Sequence, residues 1–212
     1  MTQDPTTKRV SKAIVTKAAT IIRGGGVILY PTDTVYGLGC DAFNGTAIQR
    51  IFAIKRRPED KPALVLVRDR AMVEMLVTEI PPLASKLIDC FWPGPLTIVL
   101  RARPGIHPLL TGGAGKVGLR LPDHDFCRRL LAETGVPIVS TSANISGAGA
   151  SGDIGELRKQ FSGLVDLFID AGPPITTTPS TVVDVSDGSL IIVRQGVIPD
   201  SELGDFGPAS PG

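Results

Sequence analysis

Lys55, Arg56, Arg57 and Lys61 place four cations within seven residues. Cations this close repel one another unless something anionic sits between them. A simpler reason is also available, because positive side chains at a helix C-terminus complement its dipole. That reason does not extend to two further arginines. Arg120 lies inside Val117-Gly118-Leu119-Arg120-Leu121-Pro122, and Arg194 closes Leu190-Ile191-Ile192-Val193. A guanidinium in an apolar strand is costly unless paired, so both are expected to face an anion or a carboxylate.

Two other segments carry short hydrogen-bonding groups where strands should end. The apolar run Gly26-Val27-Ile28-Leu29 gives way to Tyr30-Pro31-Thr32-Asp33-Thr34-Val35-Tyr36-Gly37-Leu38-Gly39. The run Val136 to Ser140 opens into Thr141-Ser142-Ala143-Asn144-Ile145-Ser146-Gly147. The first stretch alone also reads as a polar turn with Pro31 and Gly37 as punctuation, while the second has four such groups in seven residues where a turn needs one or two. Two polar strand ends with a phosphate-sized cation cluster point instead to a small-molecule site on rigid supports. The pattern suggests a nucleotide site without a Walker loop.

The elements that must hold these groups follow from periodicity. Apolar residues at Val10, Ile14, Ala18, Ile21 and Ile22 predict a helix that Gly24-Gly25-Gly26 stops. A second helix is predicted over Ala47, Ile48, Ile51 and Phe52, capped by Asn44 and ended before Pro58. Strands are expected at 63–67, 96–100, 117–121 and 136–140, and helices over 69–77, 82–91 and 124–133, the last capped by Asp123. Thr181 to Val185 and Leu190 to Arg194 can pair across Asp187-Gly188. The expectation is one α/β domain with a twisted, mixed sheet over 10–198, and loose tails at 1–9 and 199–212.

Composition narrows the functions. The chain has 212 residues, 42% of them hydrophobic, and a mean hydropathy of +0.20, which fits a globular domain. A formal charge of +1 exerts no global pull on nucleic acid or membrane, so anion binding must be local. Cys40, Cys90 and Cys127 are odd in number and far apart, as in a reducing compartment, and Cys40 is expected to be a small buried residue. No signal-peptide pattern and no apolar run of about 18 residues is present, so a cytoplasmic protein is expected. Gly112-Gly113-Ala114-Gly115-Lys116 fails as a P-loop, because Leu110 replaces its first glycine and Val117 its Ser or Thr. Leu29 spoils a GxGxxG reading of Gly24 and Gly26. His107 and His124 have no adjacent acid or second ligand, which speaks against zinc or a histidine triad. One Trp and two Tyr speak against a base-stacking RNA surface.

Taken in order, the polar decapeptide at 30–39, Lys55-Arg56-Arg57-Pro58, Trp92-Pro93-Gly94-Pro95-Leu96-Thr97, Val117 to Pro122, Ser140 to Asn144, Pro179-Ser180-Thr181-Val182-Val183 and Val193-Arg194 resemble the YrdC family of threonylcarbamoyl-AMP synthases. The match runs from about residue 10 to 198, and the Lys-x-Arg and Ser-x-Asn pair at 55–57 and 142–144 is a family hallmark. The resemblance implies a YrdC-like α/β domain, an open mixed sheet with surrounding helices and a concave basic surface. It implies synthesis of threonylcarbamoyl-AMP from L-threonine, bicarbonate or CO2, and ATP, with release of pyrophosphate. A downstream transferase passes the threonylcarbamoyl group to tRNA beside the anticodon. Lys55, Arg57, Lys61, Ser142, Asn144 and Arg194 would bind ATP, with Lys55 and Arg57 catalytic. Thr32, Arg120 and Ser140 would bind threonine, with Arg120 on its carboxylate, and Thr34 and Tyr36 would shape that pocket. Mg2+ would accompany the triphosphate.

The chain departs from the family pattern in places. Leu66 stands where some members have histidine, Lys116 where some have Thr or Ser near ATP, and Arg194-Gln195-Gly196 replaces a common Arg-Pro-Gly. Two rival readings stay open. One is carbamoyl-phosphate-dependent carbamoyl-adenylate chemistry on the same fold. The other is a non-catalytic module that holds tRNA or double-stranded RNA through phosphates.

Overall fold

The computed structural model describes residues 10–149, 151–172, 176 and 178–206. Helix α1 (Lys12–Arg23) begins at Ser11, whose hydroxyl accepts from the Ile14 amide, and ends at Gly24, with Gly25 in the left-handed region. Val15, Ala18, Ala19 and Ile22 form its buried stripe. Strands β1 (Ile28–Tyr30) and β2 (Gly37–Asp41) follow as an antiparallel pair on either side of the polar 31–36 turn. The last three residues of that decapeptide, Gly37 to Gly39, are therefore strand, where a polar turn was expected. Gly39 explains why β2 carries so little side chain. A Cβ there would lie 2.7 Å from the Tyr30 ring and 2.9 Å from the Val139 carbonyl.

Helix α2 (Gly45–Lys55) starts at the expected cap, where Asn44 Oδ1 accepts from the Ala47 amide. Such a cap is worth about 1 kcal/mol. Arg56 then adopts φ 50°, the left-handed conformation that usually belongs to glycine, and turns the chain sharply. The remaining elements are β3 (Leu64–Leu66), α3 (Arg70–Glu74), α4 (Pro82–Phe91), β4 (Leu96–Arg101), α5 (Pro108–Thr111), β5 (Lys116–Arg120), α6 (Asp125–Thr134), β6 (Ile138–Ser142), α7 (Ile154–Phe161), β7 (Leu167–Phe168), β8 (Thr181–Asp184), β9 (Ile191–Arg194) and α8 (Asp200–Leu203).

Three details differ from expectation. Helix α6 is not capped by Asp123. His124 occupies the cap position without a side-chain cap bond, and Asp123 pairs with Arg128 instead. Strand β6 runs on to Ser142 because β2 continues the ladder as far as Gly37↔Ser142. The segment after 199 is not loose throughout. Helix α8 buries Leu203, and Phe206 meets Phe91 with ring centroids 5.6 Å apart. The expectation for 1–9 lies outside the described residues.

The strands form one nine-stranded mixed sheet in the order β7-β1-β2-β6-β3-β5-β4-β8-β9, with parallel pairs β1/β7, β3/β5 and β4/β8 and antiparallel pairs elsewhere. Successive side chains of a strand point to opposite faces. On one face Val65, Ile98, Leu100, Val117, Leu119 and Val183 are fully buried. On the other, Leu64, Leu66, Thr97, Val99, Lys116, Gly118, Arg120, Val182 and Asp184 line a cavity. Helices and core thus seal one side of the central strands and leave the opposite side as a floor.

The close approach at Gly39 yields a prediction. Gly39→Ala should lower stability by roughly 1–3 kcal/mol through overpacking against backbone, whereas Arg56→Gly, which relieves a left-handed side chain, should leave the urea midpoint unchanged or raise it.

Candidate active site

The cavity over this floor has a volume of about 730 Å³ and is open along one side. Its walls come from the 31–36 turn, the 57–63 loop after α2, the end of β6, and Pro179, Ser180 and Arg194 beside β8 and β9. Gly118 is the low point of the floor. A Cβ there would lie 3.3 Å from Thr97 Cγ2, so a larger side chain would rise into the cavity.

One end is built around Arg120, only 4% exposed. Its Nε donates to the Gly94 carbonyl at 3.0 Å, one terminal nitrogen donates to Thr34 Oγ1 at 3.2 Å, and the other pairs with Asp33. The carboxylate expected beside this strand arginine is therefore Asp33, which also accepts from the Asp123 amide at 3.2 Å. Arg120 keeps one N–H on each terminal nitrogen for a ligand. Thr32 is less available. Its hydroxyl donates to Val35 O at 2.7 Å, accepts from the Thr34 amide at 3.1 Å and lies 3.1 Å from Thr34 Oγ1, so it braces the turn. Ser140 lines the cavity and accepts a hydrogen bond from the buried Tyr30 hydroxyl at 2.8 Å.

The other end is cationic. Arg57 Nε donates to Lys61 O at 2.8 Å and its NH2 group to Pro62 O at 2.7 Å, with the guanidinium 5.8 Å from the Phe52 ring centre. Arg194 donates to Ser180 O at 2.8 Å and to Ser180 Oγ at 3.2 Å, and that Oγ lies 2.8 Å from Thr97 Oγ1. Neither arginine has a carboxylate within salt-bridge reach among the described residues. Burial lowers the pKa of each, Arg194 lowers that of Arg57 further, and Arg120 lowers that of Arg194. Lys61 lines the same wall, and no described acceptor lies within hydrogen-bond reach of its ammonium. Unneutralised cations converging on one cavity form an anion site.

Several expected residues stand differently. The Lys55 ammonium is enclosed by Ser142 O, Asn144 O and Asn144 Oδ1 and does not line the cavity. Burial, with the charge of Arg57 added, pushes its pKa down to about 7. Asn144 is turned into the same cluster, while Ser142 reaches the cavity wall and gives its proton to Asn144 Oδ1 at 2.5 Å. Tyr36 is not among the residues lining the cavity. Its hydroxyl donates to Gly172 O at 2.6 Å and accepts from the Ala171 amide at 3.3 Å, so it anchors that segment. Cys40 is buried and its thiol pKa is raised by burial, as suits a core residue.

Of the following cavity groups, Lys116 alone was singled out from the sequence, as a departure from the family pattern near ATP. Thr97, Ser180, Gly118 and the pair Lys116–Asp184, at 2.9 Å, all face the cavity. The alternation Lys116, Gly118, Arg120 against Val117, Leu119 carried a readable signal, since a two-residue period puts the first three on Arg120's face.

Comparison with known proteins settles the relationship. The family model Sua5_yciO_yrdC, described as telomere recombination, matches residues 20–196. The chain belongs to this family. It is 35% identical over 196 residues to the threonylcarbamoyl-AMP synthase of Pyrococcus abyssi, covering 92% of this chain and 58% of that one. It is 38% identical over 182 residues to a putative threonylcarbamoyl-AMP synthase of Methanocaldococcus jannaschii, covering 86% and 85%. The crystal structure of P. abyssi Sua5 complexed with L-threonine superposes with a TM-score of 0.89 at 35% identity, over 94% of this chain and 58% of that one. The chain thus spans little more than half of the Pyrococcus protein but most of the Methanocaldococcus one. The open mixed sheet with its concave surface is the fold of these relatives. No described helix is long and apolar enough to cross a membrane.

Removing Asp33 would leave Arg120 charged and buried without its counterion. Asp33→Ala should cost about 3 kcal/mol or more in urea unfolding, and the double variant Asp33→Ala/Arg120→Met should recover part of that loss.

Proposed function

We propose that this chain is an L-threonylcarbamoyl-AMP synthase working in the cytoplasm as a nucleotidyltransferase, consuming ATP, L-threonine and bicarbonate. The observation that carries this reading is the cavity with two chemically distinct ends over one sheet face. Arg57, Arg194 and Lys61 form a cationic end suited to a triphosphate, and Arg120 with Ser140 forms a smaller polar end suited to an amino-acid carboxylate. Family membership, and a relative solved with L-threonine, support the same assignment.

The residues suggest how the reaction runs. The threonine carboxylate takes the two free N–H groups of Arg120 and the hydroxyl of Ser140, which fixes the amine over the floor. The amine captures CO2 as a carbamate and loses a proton. A carbamate oxygen then attacks the α-phosphorus, and the bond to the bridging oxygen of pyrophosphate breaks. Every reacting group is anionic, so the work is charge neutralisation and alignment rather than covalent catalysis. Arg57 and Arg194 neutralise the phosphates from opposite walls. Mg2+ would supply further charge neutralisation when bound with ATP. Asp184 is committed to Lys116 and Ser186, so phosphate oxygens and water suit that ion better than this carboxylate does. The adenylate would pass to a transferase that modifies tRNA next to the anticodon, and any direct contact with tRNA would run through the cationic rim.

Pyrophosphate release with ATP, L-threonine and bicarbonate, each omitted in turn, tests the proposal. Release should need all three. Release that needs carbamoyl phosphate instead would favour the rival adenylate chemistry. No release, with salt-dependent tRNA binding, would favour the RNA module. Arg194→Met should lower kcat/KM by roughly 100-fold. Serine lacks one methyl, worth about 1–3 kcal/mol, while valine leaves a hydroxyl partner unsatisfied, so serine should be the better alternative substrate. Turnover of valine equal to that of threonine would overturn the pocket assignment.

A further inference from the structure

Lys55 is the most deeply buried cation of the site, at 1% exposure, and three oxygens converge on it. Its Nζ donates to Ser142 O, to Asn144 O at 2.6 Å and to Asn144 Oδ1 at 3.1 Å. Its own carbonyl accepts from the Ser146 amide at 2.9 Å, so both ends of the residue grip the same turn. Ser142 Oγ and Asn144 Nδ2 complete the cluster, donating to Asn144 Oδ1 and Ala148 O. Two main-chain carbonyls and an amide oxygen aimed at one point repel one another unless a cation holds them together. Three acceptors also need three N–H donors, which the ammonium has and the neutral amine lacks. Burial and the nearby Arg57 charge push the Lys55 pKa down to about 7, against the charged form that those oxygens require.

The geometry points to Lys55 as a positioning residue rather than a phosphate ligand. We propose that its ammonium latches the 142–148 turn, so that Ser142 faces the nucleotide end of the cavity while Lys55 itself never touches ATP. Because all three N–H bonds are spent on the turn, a phosphate could reach Lys55 only by breaking the contacts that shape the wall. Lys61, on the open side of the same wall, is the lysine left for the phosphates. This inference rests on the ATP reading of the cavity.

The test is trace acetylation of lysines in the wild-type protein, read peptide by peptide by mass spectrometry, with and without Mg-ATP. Lys55 should label roughly tenfold more slowly than Lys61, with no change on adding ATP, because acylation needs the turn to open. Lys61 should be protected by ATP. Lys55 labelling as fast as Lys61, or becoming protected when ATP is added, would overturn the latch. Failure of ATP to protect Lys61 would instead count against the nucleotide reading, while slow labelling of Lys55 without ATP would still report its enclosure.

Kinetics give a second readout. Lys55→Met keeps the apolar stem and should raise KM for ATP roughly tenfold through loss of charge-assisted hydrogen bonds, with KM for threonine nearly unchanged. Ethylammonium, but not ethanol, should restore part of the loss in Lys55→Ala. Equal rises in both KM values, or rescue by the neutral alcohol, would reduce Lys55 to a packing residue.

Discussion

Uncompensated positive charge on a half-covered sheet is the constraint around which the site is arranged. Each guanidinium removed from water must be satisfied, and the protein satisfies them unequally. Arg120 receives a buried carboxylate, a backbone carbonyl and a hydroxyl, so it is rigid and nearly neutralised. Arg57 and Arg194 receive carbonyls and one serine hydroxyl, which orient them without cancelling their charge. The difference separates the two ends of one cavity by electrostatics. A carboxylate at Arg120 enters a field already balanced by Asp33, whereas a polyphosphate meets charge that nothing else neutralises.

The mixed topology makes this arrangement affordable. Strand β5 lies between β3 and β4 in the middle of the sheet, so its alternating side chains serve two purposes at once. Val117 and Leu119 seal the core, and Lys116, Gly118 and Arg120 form a row down the floor. Short walls then suffice: a turn from the β1–β2 hairpin at one end and the loop after α2 at the other. The left-handed Arg56 is what lets consecutive cations diverge, with Lys55 turned inward to the 142–144 turn and Arg57 toward the cavity.

Much of this was legible beforehand because it rests on local rules. The Asn44 cap, the glycine stop after α1, the hairpin near Asp187 and the apolar strands follow from capping and periodicity. Strand β2 was hidden because Gly37 and Gly39 are poor strand formers, Gly39 being kept there by the closeness of Tyr30 and Val139. The cation cluster was legible as a group, yet its division of labour was not. Side chains one residue apart at a helix end go to different neighbours, and those neighbours are 87 and 89 residues away for Lys55. Asp33 as the partner of Arg120 was likewise invisible, since the pairing spans 87 residues. Tyr36 resembled a pocket residue from its place in the decapeptide, but the 171–172 backbone claims its hydroxyl.

Hydrogen-bond polarity carries the argument one step past charge. A hydroxyl can donate once, and its partners decide where that proton points. The proton of Thr32 goes to Val35 O, and that of Ser142 goes to Asn144 Oδ1. Ser140 differs, because Tyr30 donates to it from the same face of the sheet and leaves its own proton free for the cavity. Burial raises the Tyr30 pKa well above its ordinary value, so the phenol stays protonated and keeps that role. Two serines on the same face of β6, two residues apart, are thereby set to opposite polarity: Ser140 keeps a proton to donate, as the proposed carboxylate ligand would require, and Ser142 is left to accept. A cavity lined, among the described residues, by no histidine and no cysteine can distinguish ligands in this way, by fixing which oxygens give protons and which receive them before any ligand arrives.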